Sequence, residues 1–124
     1  MNCHSLGDKS IQKLKGVHPI LIICVNNALK RCAADFTVLE GKRTVKRQEK
    51  LFAEGVSKTL KSYHIKGLAV DLAPLPIDWD DLDKFKLVAK AMKEEAKKLG
   101  IRITWGGDWK SFVDMPHFQL EIKE

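Results

Sequence analysis

The sequence has 124 residues, 44% hydrophobic and 31% charged, which suits one globular core and excludes a multidomain machine. Its formal net charge of +6 and pI near 9.3 favour anionic partners (nucleic acid, an acidic cell surface, a phosphorylated polymer) beside the plainer benefit of charge to solubility. The longest uncharged apolar run, Pro19 to Val25, is far too short to cross a bilayer.

The opening stretch MNCHSLGDKS lacks the apolar centre of a secretory signal, so synthesis in a cytosol without a leader is expected. His4 reads as tail. Cys3, Cys24 and Cys32 form an odd, widely spaced set with no CxxC pair, which describes neither a disulfide framework nor a thiolate zinc site. Cys24 and Cys32 share one helical stretch, where eight residues rise roughly 12 Å, too far for a mutual disulfide. Reduced, buried thiols are expected.

The first clear element runs from His18 to Ala34. Pro19 suits a first helical position, and Leu21, Cys24, Val25, Ala28, Leu29 and Cys32 recur at helical spacing. The segment Ile20–Val25 alone also fits a buried strand, but the total length favours helix. Phe36 to Leu39 reads as a short strand. Thr44 is the expected N-cap of a helix carrying Val45, Gln48, Leu51 and Phe52 and stopped by Gly55. The polar run SKTLKSYH is a loop. LAVDL is a strand, with Leu68, Val70 and Leu72 on one face and Ala69 and Asp71 on the other. From about Asp80 to Leu99 a stripe of Leu82, Phe85, Val88, Ala89, Met92, Ala96 and Leu99 predicts a helix ended by Gly100. Its lysine-rich stretch KAMKEEAKK reads as a solvated face. Ile101 to Thr104 is a short strand and WGGDW a glycine loop. HFQLEI is a last strand with Phe118, Leu120 and Ile122 inward, and His117, Gln119 and Glu121 on the opposite face. The expected fold class is α+β: one domain, residues 1–124, with helices packed on a small, mostly antiparallel sheet.

Four polar residues sit where the core pattern does not need them: His64, Asp71, Asp114 and His117. Two imidazoles and a carboxylate suit zinc in an open site, where the metal ionises water near neutral pH and polarises a carbonyl. A further carboxylate beside the metal supplies the proton shuttle that such hydrolysis needs. His64 and Asp71 have the wrong parity for one strand face, and Gly67 between them allows the necessary bend. Spacing alone is a weak signal, since His64 also fits an ordinary loop position.

Longer strings are more specific. Ser62-x-His64-x-x-Gly67-x-Ala69-x-Asp71-Leu72, then Trp105-Gly106-Gly107-Asp108-Trp109 and Asp114-x-x-His117-Phe118, resemble the VanY-type zinc peptidases. That family comprises D-alanyl-D-alanine carboxypeptidases and the L-alanyl-D-glutamate endopeptidase endolysins of phages. The match extends upstream through His18-Pro19, Asp35-Phe36, Gly41-x-Arg43-Thr44 and Gln48-x-x-Leu51, so it covers nearly the whole chain. The resemblance implies a fold shared with the Hedgehog signalling domains and D-Ala-D-Ala peptidases. It implies Zn2+ as cofactor, held by His64, Asp71 and His117, with Asp114 as general base. By the same resemblance Arg43 holds a substrate carboxylate or carbonyl and steadies the oxyanion, and Ser62 lies on the substrate side. A guanidinium fork suits a carboxylate, and a cationic donor near a reacting carbonyl lowers the transition state.

Within the family, Asp at the proton-shuttle position and a bare catalytic domain without a leader point to the phage endopeptidase branch. The expected activity is therefore hydrolysis of the L-alanyl-D-glutamate bond of peptidoglycan, by a monomer released to the wall from the host cytoplasm. Anionic envelope polymers are possible weak partners, and no membrane insertion or specific nucleic acid is expected. Three alternatives stay open: a D-alanyl-D-alanine carboxypeptidase, an inactive zinc-binding relative, and a small basic nucleic-acid binder. The base at Asp114 speaks against the second. Nine aromatics and dispersed basic residues speak against the third. Trp105 and Trp109 are divided between cleft and core packing, His18 is a helix-entry residue, and Asp108, Glu40 and Glu121 receive no role.

Overall fold

A computed structural model describes residues 5–57 and 62–122. Four helices, α1 (Asp8–Lys13), α2 (Pro19–Arg31), α3 (Val45–Ala53) and α4 (Leu82–Leu99), accompany four strands. The strands are β1 (Phe36–Glu40), β2 (Ala69–Pro74), β3 (Arg102–Trp105) and β4 (His117–Glu121), in the spatial order β1-β2-β4-β3 with every pairing antiparallel. This is the expected α+β arrangement, with α2 and α4 packed on one face of the sheet.

The local reasons match the sequence. His18 caps α2, its Nδ1 accepting from the Ile20 amide at 3.2 Å, and Pro19 follows at the first helical position. Thr44 caps α3 and Asp81 caps α4, each through a side-chain oxygen. Gly100, in a left-handed conformation, ends α4. Alternation of side chains along the strands puts Val70 and Leu72 of β2 and Phe118 and Leu120 of β4 into one core with Leu21, Val25, Leu29, Val88 and Met92. These side chains are essentially inaccessible, and burial of each contributes roughly 1.5–3 kcal/mol.

Several expectations need correction. Helix α1 went unnoticed, because six residues of mixed polarity carry little periodicity; Ser10 explains its docking, bonding Thr37 Oγ1 at 2.9 Å and accepting from the Val38 amide. Helix α2 ends at Arg31, not Ala34, since Cys32 turns to extended backbone. Ile122 is not inward: strand β4 ends at Glu121 and Ile122 is 48% exposed. Trp105 is core, stacked on Phe118 with its indole donating to the Met115 carbonyl. Residues 58–61 of the polar loop lie outside the described residues.

Candidate metal centre

The second sheet face carries the polar residues. Asp71 of β2 stands directly opposite His117 of β4, so strand pairing alone brings a carboxylate and an imidazole together. Glu40 also faces Asp71, which plain alternation from Val38 would forbid. A β-bulge between Val38 and Glu40 adds one residue to β1 and turns the Glu40 side chain onto this face. His64 arrives from outside the sheet, on the turn that precedes β2. Gly67 shapes that turn with φ +71°. A Cβ there would lie 2.3 Å from the Gly16 carbonyl oxygen, and the Gly67 carbonyl accepts from the His18 amide at 2.8 Å.

Each imidazole is fixed by its second nitrogen. His64 Nδ1 lies 2.8 Å from the Gly41 carbonyl, which only accepts, so Nδ1 carries the hydrogen and Nε2 points inward. His64 Nε2 is 3.2 Å and His117 Nδ1 is 3.3 Å from the same atom, Asp71 Oδ1. Three atoms that are natural acceptors thus face one another within 4.8 Å. Such a set needs positive charge in its midst, either protons or a metal ion. His64, Asp71 and His117 form a group that can hold a metal. Without a metal, the surroundings favour the charged forms. Burial opposes ionisation of Asp71, but His117 and His64 hold its carboxyl well below the ordinary range. Burial likewise opposes protonation of His117, but Asp71 and Gln119 push its pKa up.

The cluster lies in a cleft of about 760 Å³. One wall comes from α3 and its exit, with Arg47, Leu51 and Val56, and the other from the loop before β4, with Trp109, Phe112, Val113 and Asp114. The Trp109 ring sits 5.1 Å from the His117 ring. Asp114 lines the cleft outside the three-residue cluster. Its position depends on Gly106, whose carbonyl accepts from the Asp114 amide at 3.0 Å and where a Cβ would lie 2.3 Å from the Asp114 carbonyl oxygen. Burial and the nearby Asp71 raise the Asp114 carboxyl above the usual carboxylate range.

Arg43 and Ser62 also reach the cleft. The Arg43 guanidinium holds Glu40 through Nε at 2.6 Å and Nη2 at 2.8 Å, and Gln48 through Nη1 at 2.6 Å. Glu40 keeps the guanidinium cationic despite its burial. The Arg43 amide donates to the His64 carbonyl at 2.9 Å, which ties the β1–α3 connection to the histidine turn. Ser62 Oγ accepts from the His64 amide at 3.2 Å, so this hydroxyl also builds the turn.

All six residues singled out in the sequence therefore line one cleft. Missed were Glu40, hidden by the bulge; the buried Gln48; and Gln119, whose strand parity with His117 was the available signal. Asp108 lies on the outer surface, paired with Lys93 at 2.6 Å.

A small α+β fold with a histidine–aspartate–histidine cluster on one face of its sheet defines a compact class of protein whose cleft can hold a metal ion. The chain belongs to the phage L-alanyl-D-glutamate peptidase family, which it matches over residues 2–123. It is 39% identical to the L-alanyl-D-glutamate peptidase of Escherichia phage T5, over 94% of this chain and 88% of that one. It is 34% identical to the peptidoglycan L-alanyl-D-glutamate endopeptidase CwlK of Bacillus subtilis (strain 168), over 84% and 73% respectively. The solved structure of the Serratia marcescens L-Ala D-Glu endopeptidase ChiX superposes with a TM-score of 0.88 at 37% identity, covering 95% of this chain and 90% of that one.

Proposed function

We propose that this chain is a zinc-dependent peptidoglycan peptidase, a single catalytic domain that hydrolyses the L-alanyl-D-glutamate bond of the stem peptide to lyse the bacterial wall. The observation that carries the reading is the convergence of His64 Nε2, Asp71 Oδ1 and His117 Nδ1, three facing acceptors that call for a cation. Those residues are the proposed zinc ligands. A bound zinc ion supplies Lewis-acid polarisation of a carbonyl and favours ionisation of water near neutral pH.

The chain's own groups do the rest. Asp114, lifted above the ordinary carboxylate range, takes a proton from the attacking water and returns it to the leaving amine; the raised affinity for a proton serves the second half of that cycle. Arg43 has five N–H donors, and Glu40 and Gln48 engage three of them. The remaining two steady the substrate carbonyl or carboxylate, and Glu40 holds the fork in place. Ser62 lines the same cleft, and its hydroxyl, which accepts from the His64 amide, keeps a hydrogen to donate to substrate. Exposed Val56, Phe112 and Val113 also line the cleft and offer apolar contact to a bound peptide chain.

The names of the relatives in phages, Bacillus and Serratia support the endopeptidase over the carboxypeptidase. The net charge of +6 favours weak attraction to anionic envelope polymers. No helix among the described residues is long and apolar enough to cross a membrane. The proposed enzyme acts on the bacterial wall as a monomer.

The test is digestion of purified sacculi with and without a strong chelator, with the soluble fragments sequenced by mass spectrometry. New N-terminal D-glutamate and C-terminal L-alanine, lost on chelation and restored by zinc, are expected. Free D-alanine as the main product refutes the endopeptidase reading, and chelator-resistant lysis refutes the zinc reading.

A further inference from the structure

A chain of hydrogen bonds runs outward from His117 along the cleft face of β4. His117 Nε2 lies 2.8 Å from Gln119 Oε1, and Gln119 Nε2 donates to Glu121 Oε1 at 2.7 Å. Glu121 also accepts from Thr104 Oγ1 of β3 at 3.0 Å and from the Tyr63 hydroxyl at 2.9 Å. Period-two alternation places His117, Gln119 and Glu121 on one face, and Thr104 stands opposite Gln119 in the β3–β4 pairing.

The direction of this chain is forced by its far end. An ionised carboxylate only accepts, so the Gln119 amide must turn its NH₂ toward Glu121 and its carbonyl toward His117. That carbonyl in turn only accepts, so His117 Nε2 must carry a hydrogen. With Nε2 committed to Gln119, the nitrogen left for the ion site is Nδ1, 3.3 Å from Asp71 Oδ1. In the metal-free protein a hydrogen on Nδ1 goes to Asp71, and a bound metal ion takes that hydrogen's place.

We propose that Glu121, acting through Gln119, is a positioning residue that sets the tautomer of His117 and presents Nδ1 to the ion site. The proposal rests on the reading of His117 as a metal ligand. The two histidines are set by different means. His64 is fixed by the backbone carbonyl of Gly41, which no substitution removes. His117 is fixed by two side chains with a carboxylate behind them, and a chain polarised in one direction also raises the basicity of the inward nitrogen. Through Tyr63, the same carboxylate holds the residue next to His64, so one group braces the segments that carry both imidazoles.

The experiment is long-range ¹H–¹⁵N NMR of the zinc-loaded protein, together with zinc affinity by chelator competition. The native protein should show His117 as the Nε2–H tautomer alone. Glu121→Gln keeps the size but removes the acceptor-only end, so the Gln119 amide can reverse. A mixture of tautomers and zinc binding weaker by about tenfold, the lower end of what supporting groups of metal ligands contribute, are expected. The double variant Gln119→Glu/Glu121→Gln puts the carboxylate against His117 and an amide donor behind it, and should restore the single tautomer and most of the affinity. A native His117 protonated at Nδ1, or a Glu121→Gln protein with unchanged tautomer, overturns the proposal. So does a double variant no better than the single one. A shifted tautomer with unchanged zinc affinity overturns the link to the ion. If His117→Ala binds zinc as the native protein does, the ligand reading fails by itself, and the NMR comparison of the native and Glu121→Gln proteins still decides what Glu121 does.

Discussion

Gly67→Ala tests how the histidine turn is held to the fold. Two separate costs arise there. The backbone adopts φ +71°, a left-handed conformation that costs an alanine about 1–2 kcal/mol. The new Cβ would lie 2.3 Å from the Gly16 carbonyl oxygen, a backbone atom, and 3.4 Å from the Val17 Cα. Relief requires the turn to move away from the α1–α2 connection, which sacrifices the 2.8 Å bond from the His18 amide to the Gly67 carbonyl. A hydrogen bond contributes about 1 kcal/mol net, so the expected loss is roughly 2–4 kcal/mol once the clash is included. Gly100→Ala is the control, because Gly100 has nearly the same φ, +69°, with nothing within 4 Å of an added Cβ. It should lose only the conformational part, about 1–2 kcal/mol. Urea denaturation of both variants, compared through the midpoint at constant slope, gives the difference. Zinc affinity should fall in Gly67→Ala alone, since His64 moves with the turn. Equal destabilisation by the two variants would falsify the close-approach argument.

Asp114→Asn should leave the fold and zinc content intact and slow hydrolysis by roughly 10²- to 10⁴-fold; loss of metal with activity would make Asp114 a ligand or a support. The metal-free protein should lose stability at both ends of the pH range. The raised pKa of His117 contributes stability that is complete below the ordinary imidazole value of 6.5 and disappears as pH rises through the folded-state value. The lowered pKa of Asp71 contributes stability that is present above 3.8 and disappears as pH falls toward its depressed value. Thermal melts in chelator should therefore fall on the alkaline side, while the increment from added zinc grows there; a flat alkaline limb refutes the charge pattern of the cluster. Burial, aided by Glu95, pushes the Cys24 thiol up to about 12, so iodoacetamide at mildly alkaline pH should leave Cys24 unmodified until the protein unfolds. Labelling of Cys24 in the native protein, read by peptide mass mapping, contradicts its enclosure.

The sequence by itself determined the parts governed by short-range chemistry. Thr44 before an amphipathic run, Pro19 after His18, and Gly100 after the stripe from Leu82 to Leu99 mark helix ends because each satisfies or terminates a local hydrogen-bond pattern. Alternation in β2 and β4 separated Val70, Leu72, Phe118 and Leu120 from Asp71 and His117, because successive strand side chains point to opposite faces. The residue strings around His64, Asp71 and His117 resembled a known family closely enough to single out three side chains that the fold brings together. Tertiary structure alone decided how those residues meet. Pairing of β2 with β4 put Asp71 opposite His117, and a bulge in β1 brought Glu40 to the same face against the parity of its strand. Gly41 lends a carbonyl to His64, which has no signature in any side chain. Arg43 reads in sequence as an open cationic fork, yet in the fold it is gripped by Glu40 and Gln48. Local patterns report what each residue prefers, whereas register, bulges and borrowed backbone groups are settled by long-range packing, which joins segments that no local window contains.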